Sequence, residues 1–272
     1  MSLPLESVPD EPPRDESPLR PVHVVGDRYR TFAENDRVTT SGAVAKALTT
    51  PTPPLSDQVL LVPGQGVTGE DWQTLAAAPT HCPVRFAPAP APALDGSEVL
   101  KLRSENVLLA ALREIGPVNY TAELVVHADS EMVQDHTAER QHLPGMLLME
   151  ASCQMIIAVT GRFLAARGVT DAYYTVMHHF QIDFRRFVFP LPAQLRLTVD
   201  EVGDLTGGPD RIPFAVTIDV VQGGFDCARA RWRYRAFRPA AVFAAEAERA
   251  REAVAACAAV RTASPSGQGA VS

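Results

Sequence analysis

The chain has 272 residues, of which 46% are hydrophobic, enough to bury the core of one large domain or two small ones. Its formal net charge of −7 provides no basic surface for nucleic acid or anionic lipid, so we expect neither as a partner. The four cysteines (Cys82, Cys153, Cys227 and Cys257) show no C-x-x-C spacing, which favours reduced thiols in the cytoplasm over a zinc site or a disulfide framework.

The first 19 residues are rich in Pro, Glu, Asp and Ser, a composition typical of a disordered leader. No cationic segment followed by an apolar one opens the chain, so we predict no secretory signal. The longest apolar run is interrupted by Glu150 and Gln154, and we therefore predict no membrane span either.

Residues 20–90 alternate short apolar runs with helical segments, and this order predicts a small α/β unit with parallel strands. The segment Pro63-Gly64-Gln65-Gly66 follows one of these strands. It lacks the Lys-Ser/Thr of a P-loop and the third glycine of a dinucleotide fingerprint, so it predicts a plain β-to-α turn. Alternating Pro and Ala in residues 87–93 predict an extended linker, where we place the domain boundary.

The segment 97–238 has the pattern of a sheet wrapped around one helix. Pro144-Gly145 marks a helix start, and the helix is predicted to end near Arg167, before Gly168. A strand at 119–127 precedes it, and Gly223-Gly224 predicts a hairpin turn in the sheet that follows. The later predicted strands are 173–189, 193–202, 212–222 and 225–237.

These elements predict an α+β chain in which a hotdog fold, an antiparallel sheet around a long central helix, is preceded by the small α/β unit. Residues 239–262 are rich in Ala, Glu and Arg and predict a C-terminal helix on the surface. Residues 263–272 are rich in Ser and Gly and predict a disordered tail.

The central helix carries the main candidate for acid–base chemistry. Met146, Glu150, Cys153 and Ile157 are spaced as one stripe of a helix, which predicts that Glu150 lies within an apolar face. A carboxyl group there needs either a raised pKa or hydrogen bonds, for example from Gln154 one turn on. Glu150 is therefore a candidate acid or base; the alternative is a buried carboxyl group with a structural role only.

The start of this helix offers further candidates. The backbone N–H groups of Gly145 and Met146 have no intrahelical acceptor and could polarise a carbonyl oxygen. His136, in the preceding charged loop, is either a second proton-transfer group or a solvated loop histidine. His142 is either a substrate-binding residue or, as we rather expect, a cap of the helix.

Two other residue types near the helix leave alternatives open. Cys153 could act as a nucleophile, but no activating base is evident, so a packing role is favoured. Arg185 and Arg186 could bring positive charge to a substrate, and surface solvation is an equal alternative.

These residues carry a resemblance to known families. His136, Pro144-Gly145, Glu150-Ala151 and Gln154 resemble the active-site segment of hotdog-fold 3-hydroxyacyl-carrier-protein dehydratases. The run from His142 to Gln154 is still more similar to the A-factor biosynthesis hotdog family, the synthases of γ-butyrolactone signals. Residues 184–192 and 232–237 are similar to that family's second repeat, so the resemblance covers about 97–238.

The chain also departs from that family's pattern. The family usually has Arg where this chain has Cys153, and the motif of its first repeat is not found in residues 20–90.

The resemblance implies an enzyme that acts on acyl thioesters borne by the phosphopantetheine of acyl carrier protein or CoA, with no other cofactor. It implies Glu150 and His136 as catalytic residues and Gly145 and Met146 as donors to the thioester carbonyl. The substrate-binding residues implied are Gln154, Cys153, His142 and Arg185.

The leading reaction is transfer of a 3-oxoacyl group to a hydroxylated acceptor, in signal or secondary-metabolite biosynthesis. Dehydration of a 3-hydroxyacyl thioester is the first alternative, and a non-catalytic module that binds an acyl group or a partner is the second. A domain with one half-covered helix face and a free sheet edge also predicts a homodimer, with the acyl channel between subunits.

Overall fold

The structure is a computed structural model that describes residues 19–50, 59–79, 84–134 and 141–263. The N-terminal unit contains β1 (Arg20–Val25), β2 (Val38–Thr40), α1 (Ser41–Thr49), β3 (Val59–Pro63), α2 (Gly69–Ala77) and β4 (Arg85–Phe86). The rest contains β5 (Leu109–Gly116), β6 (Asn119–Leu124), α3 (Glu131–Gln134), α4 (Gly145–Ala165), β7 (Tyr174–Phe184), β8 (Gln194–Val202), β9 (Arg211–Gln222), β10 (Phe225–Phe237) and α5 (Pro239–Ala263).

The N-terminal unit is a four-stranded sheet in the order β2-β1-β3-β4, and all its pairs are parallel, as predicted. Short polar side chains begin its helices. Thr68 and Asp71 form a reciprocal capping box at the start of α2, which satisfies two N–H groups that the helix leaves unpaired. Strand β2 was not predicted, because its three residues are too few to show a pattern.

The second sheet has six antiparallel strands in the order β5-β6-β8-β9-β10-β7 and wraps around α4. This is the hotdog arrangement, and the predicted fold class is confirmed. The hairpin between β9 and β10 turns at Gly223-Gly224, both at positive φ, as predicted. Strand β5 was not predicted, and it places two strands rather than one before the central helix.

Helix α4 begins after Pro144 and ends three residues before Gly168, whose φ of +77° closes the last turn, so both signals are confirmed. The helix is long and apolar enough to cross a membrane, yet 67% of its most apolar window is buried inside the protein. Its buried residues include Leu147, Ala151 and Phe163. The helix is therefore the centre of the core that the sheet surrounds.

The turn Pro63-Gly64-Gln65-Gly66 joins the N-terminal unit to the hotdog sheet. The Gln65 side chain is buried, accepts from the Val126 N–H (2.8 Å) and donates to the carbonyl groups of Leu124 (3.0 Å) and Leu191 (3.2 Å). The main core cluster also continues from the hotdog sheet to Val25 of β1. The predicted β-to-α turn is thus present and also fastens the two sheets together, whereas the boundary near residue 90 stays a prediction.

Candidate functional site

A backbone hydrogen bond fixes the residues that lead into α4. Leu143 donates its N–H to the Val188 carbonyl over 2.7 Å, and Pro144 takes the position before the first helical residue. Among the described residues no side chain caps this helix, so the expectation that His142 does so is wrong. The His142 ring instead lies against the Phe187 ring, with centroids 4.5 Å apart.

A cavity of about 470 Å³ opens at this helix start. It brings together three of the predicted site residues, His142, Gly145 and Arg185. The rest of its wall consists of Leu143, Leu148, Phe184, Arg186, Phe187 and Val188.

The Phe184 ring covers the first residue of α4. A Cβ at Gly145 would lie 2.9 Å from Phe184 Cζ, so a larger residue there would push the ring away from the helix start. The backbone of Gly145 therefore lies at a cavity whose wall is mostly apolar.

The two arginines of the cavity wall are fixed through their backbone. Both Arg185 and Arg186 donate N–H groups to the Cys227 carbonyl, over 2.8 and 3.0 Å. The Arg185 guanidinium is 3.9 Å from Asp226, and the Arg186 guanidinium lies 4.6 Å from the centre of the Phe225 ring. Within the described residues, positive charge is thus present at the cavity without a carboxylate closer than 3.9 Å.

Glu150 lies farther along α4, about 7.5 Å from Gly145 along the helix axis at 1.5 Å per residue. The prediction that it lies within a buried face is wrong: its side chain is 27% exposed, and Met146 on the same stripe is 60% exposed. The sheet covers the opposite side of the helix. The stripe that contains Glu150 is consequently the side of α4 that this chain leaves partly open.

The Glu150 carboxylate is held on one side only. Its Oε1 accepts from Lys101 Nζ over 2.6 Å and from Gln154 Nε2 over 3.0 Å, which confirms the predicted hydrogen bond from Gln154. Within the described part of the chain, no partner meets Oε2. Both partners are hydrogen-bond donors, and both contact the same oxygen.

Gln154 was predicted to bind substrate, but its side chain is fully buried behind Glu150. Besides Glu150, it donates to the Asn106 carbonyl (2.9 Å) and accepts from the Leu108 N–H (2.8 Å). All its polar atoms are therefore occupied, and in this structure Gln154 orients Glu150 instead of facing a cavity.

Cys153 lies half-buried against the core, next to Glu150. Burial, followed by repulsion from Glu150, raises the pKa of the Cys153 thiol to about 11. The thiol is thus neutral at neutral pH, and the favoured packing role is supported over the nucleophilic one. The remaining predicted catalytic residue, His136, lies outside the described residues.

Lys101 and Phe184 were not predicted as site residues. Lys101 lies far from Glu150 in the sequence and belongs to no periodic element, so no local pattern indicated it. Phe184 was assigned to a strand, and only the close approach to Gly145 shows its place in the cavity wall.

The family of this chain can be identified by comparison with known proteins. The profile of the A-factor biosynthesis hotdog domain matches residues 84–238, more than half of the chain. No curated protein matches the sequence. Among solved structures, a conserved protein of Pseudomonas aeruginosa is similar at 16% identity and a TM-score of 0.37, over 52% of this chain and 98% of that one.

Two further solved structures are similar to this chain, with comparable sequence identities and TM-scores. AziG of S. sahachiroi has 19% identity and a TM-score of 0.33, over 48% of this chain and 91% of that one. The ApeI:P dehydratase heterocomplex of Xenorhabdus doucetiae has 15% identity and a TM-score of 0.41, over 54% of this chain and 91% of that one. At these values the likeness carries no argument about the reaction, but the profile match does identify the family. The chain belongs to the A-factor biosynthesis hotdog family.

Proposed function

We propose that this protein is an enzyme of signal or secondary-metabolite biosynthesis that transfers an acyl group from a thioester to a hydroxylated acceptor. The thioester would be carried on the phosphopantetheine arm of an acyl carrier protein or of CoA. One observation carries this proposal: Glu150 Oε1 is anchored by two donors, while Oε2 is free of partners among the described residues. A carboxylate fixed in this way is suited to remove a proton from a hydroxyl group.

The proposed reaction uses two parts of the first turns of α4, the free N–H groups at its start and the Glu150 carboxylate. Glu150 Oε2 takes the proton of the acceptor hydroxyl, whose oxygen then attacks the thioester carbonyl carbon. The negative charge that develops on the carbonyl oxygen is stabilised by the N–H groups of Gly145 and Met146. The C–S bond breaks, the carrier thiol leaves with the proton from Glu150, and the acyl ester remains.

The cavity at the helix start supports a thioester as substrate. Its volume is within the range of about 300–1,000 Å³ for small-molecule sites, and most of its wall is apolar. Arg185 and Arg186 on the same wall could pair with a phosphate group of the arm, because guanidinium groups bind phosphate through charge-assisted hydrogen bonds.

Dehydration of a 3-hydroxyacyl thioester is the second candidate, favoured by the spacing of His136 to Pro144-Gly145 and by Cys153 at the position of the usual arginine. In that reaction Glu150 would act as an acid, with His136 as base.

A second copy of the chain is part of the proposal. Among the described strands, β7 is the last of its sheet and pairs with β10 alone, and Phe180 and Phe184 on it are exposed. Free strand edges and exposed aromatic side chains favour symmetric association. A partner there would cover the open stripe of α4 and turn it into a channel.

The test is an assay of products by mass. The purified protein is incubated with 3-oxoacyl- and 3-hydroxyacyl-carrier protein, with and without a hydroxylated acceptor. An acyl ester that forms only with acceptor supports transfer, loss of water from the 3-hydroxyacyl substrate supports dehydration, and no turnover favours a binding module.

Glu150→Gln should abolish whichever activity is seen, because the amide cannot take the proton. Glu201→Gln, at an exposed carboxylate of β8, is the matched control and should keep the activity. A Glu150→Gln variant with the full rate would remove Glu150 from the mechanism.

A further inference from the structure

The segment 96–108 lies along the open side of α4 and is fastened to it at three places. Glu98 pairs with Arg162 (2.8 Å), Lys101 pairs with Glu150 (2.6 Å), and the backbone of residues 106 and 108 meets the amide of Gln154. We call this segment the strap. Its middle contact is the one that reaches the carboxylate proposed to act as base.

In the middle of the strap, the apolar side chains are more exposed than the charged one between them. Leu100 is 56% exposed and Leu102 is fully exposed, whereas the Lys101 side chain between them is 30% exposed. Hydrophobic burial alone would turn the two leucines inward and leave the lysine in water. The observed arrangement instead places the Lys101 side chain against α4, where it pairs with Glu150.

The backbone at this point is held in a costly conformation. Leu100 has φ +56° and ψ +44°, a left-handed conformation that is unfavourable for a residue with a side chain. The turn is closed by the Lys101 N–H, which donates to the Gly96 carbonyl over 2.8 Å. A Cβ at Gly96 would overlap the Lys101 carbonyl oxygen, so the turn requires glycine there.

We infer that Lys101 is a positioning residue for the reaction of Glu150, an inference that rests on the proposed function. Lys101 holds Oε1 of Glu150 at a fixed place, so that Oε2 points toward the hydroxyl of the acceptor. Gln154 fixes the same oxygen from behind. Without Lys101 the carboxylate keeps its chemistry but loses one of the two contacts that set its direction.

The expected effect is on kcat and not on stability. Lys101→Met removes the ammonium group and keeps the aliphatic stem, and it should lower kcat by about 10- to 100-fold, the scale of a misplaced reacting group. KM should change by less than about threefold, because Lys101 does not contact the thioester. The melting temperature should stay near that of the wild type, since partly exposed ion pairs contribute little.

Three variants separate positioning from other roles. Lys101→Arg keeps a cation at this position and should recover most of kcat. Lys46→Met, at an exposed lysine of α1, is the matched control and should have no effect. Glu150→Asp shortens the side chain and keeps a carboxylate with a residual rate, and adding Lys101→Met to it should lower kcat by less than Lys101→Met does in the wild type, because Lys101 acts only through the Glu150 carboxylate.

The outcomes distinguish this inference from the proposed function. If Glu150→Gln is inactive and Lys101→Met has the wild-type kcat, Lys101 has no role in positioning while the proposed function stands. If Lys101→Met lowers the melting temperature and both kinetic constants change with it, the role is structural and the inference is overturned. If the wild type has no turnover with any thioester and acceptor, the proposed function fails and the inference fails with it.

Discussion

Replacement of Gln65 by Leu tests whether the N-terminal unit and the hotdog sheet form one body. Leu is similar in size but cannot accept from the Val126 N–H or donate to the Leu124 carbonyl. Each buried backbone group that loses its partner costs about 1–3 kcal/mol. Counting these two groups alone, we expect the free energy of unfolding to fall by about 2–6 kcal/mol.

Two measurements check this expectation. Urea unfolding gives the loss in free energy of unfolding, and at about 2–4 °C per kcal/mol the melting temperature should fall by roughly 4–24 °C. Hydrogen exchange at Val126 reports the lost contact directly, because its N–H donates to Gln65 Oε1 over 2.8 Å and should exchange faster in the variant.

The matched control is Gln73→Leu, at an exposed glutamine of α2 in the same unit, which should change the free energy of unfolding by less than about 0.5 kcal/mol. Gln65→Glu keeps the acceptor for Val126 and turns a carboxylate oxygen toward two carbonyl groups, so it should be at least as destabilising as Gln65→Leu. If Gln65→Leu behaved like Gln73→Leu, the contacts of Gln65 would not hold the two sheets together and the reasoning would be refuted.

The state of Cys153 and the number of copies in solution can each be measured directly. Iodoacetamide at neutral pH should label the exposed Cys257 and spare Cys153, because burial and Glu150 raise the pKa of the Cys153 thiol to about 11; both should react in urea, and equal labelling in the folded protein would contradict the assignment. Light scattering of the folded protein should give twice the mass of one chain, because β7 and the open stripe of α4 need a partner. A single-chain mass at assay concentration, with full activity, would show that the channel does not lie between subunits.

The strands that could be predicted are those whose own residues, together with the adjoining turn, show the strand pattern. Strands β9 and β10 alternate buried and exposed residues over most of their length, and Gly223-Gly224 supplies the turn that joins them. Strand β5 lacks this regularity. Its register shifts after Ala110, and Ala111 has φ +48°, so the strand exists because β6 pairs with it and not because of its own residues.

For the central helix, the sequence predicts where the helix begins and ends but not which of its sides is buried. Its two ends follow from Pro144-Gly145 and Gly168, since these residues act locally. Its orientation does not, because α4 is apolar around most of its circumference and several stripes could equally be the buried one. The stripe chosen from spacing contains Glu150, and the sheet in fact covers the other side. Spacing therefore selected Glu150 as a candidate but gave the wrong degree of burial for its stripe of the helix.

The parts of the site that could not be predicted are those that depend on distant segments. Lys101 reaches Glu150 only because the turn at Gly96 directs the strap along α4, and no pattern within either segment reports that meeting.

The separation of the site into two parts also has a chemical consequence. The cavity with the uncapped helix start lies at Gly145, and the anchored carboxylate lies on the open stripe at Glu150, with Met146 exposed between them. In the proposed transfer the acceptor hydroxyl oxygen must come within about 3–3.5 Å of the thioester carbonyl carbon, so both substrates must meet in the region between Gly145 and Glu150. Among the described residues this region is partly open to solvent, and the transfer therefore requires that a second copy or the substrates themselves exclude the water that would compete with the acceptor.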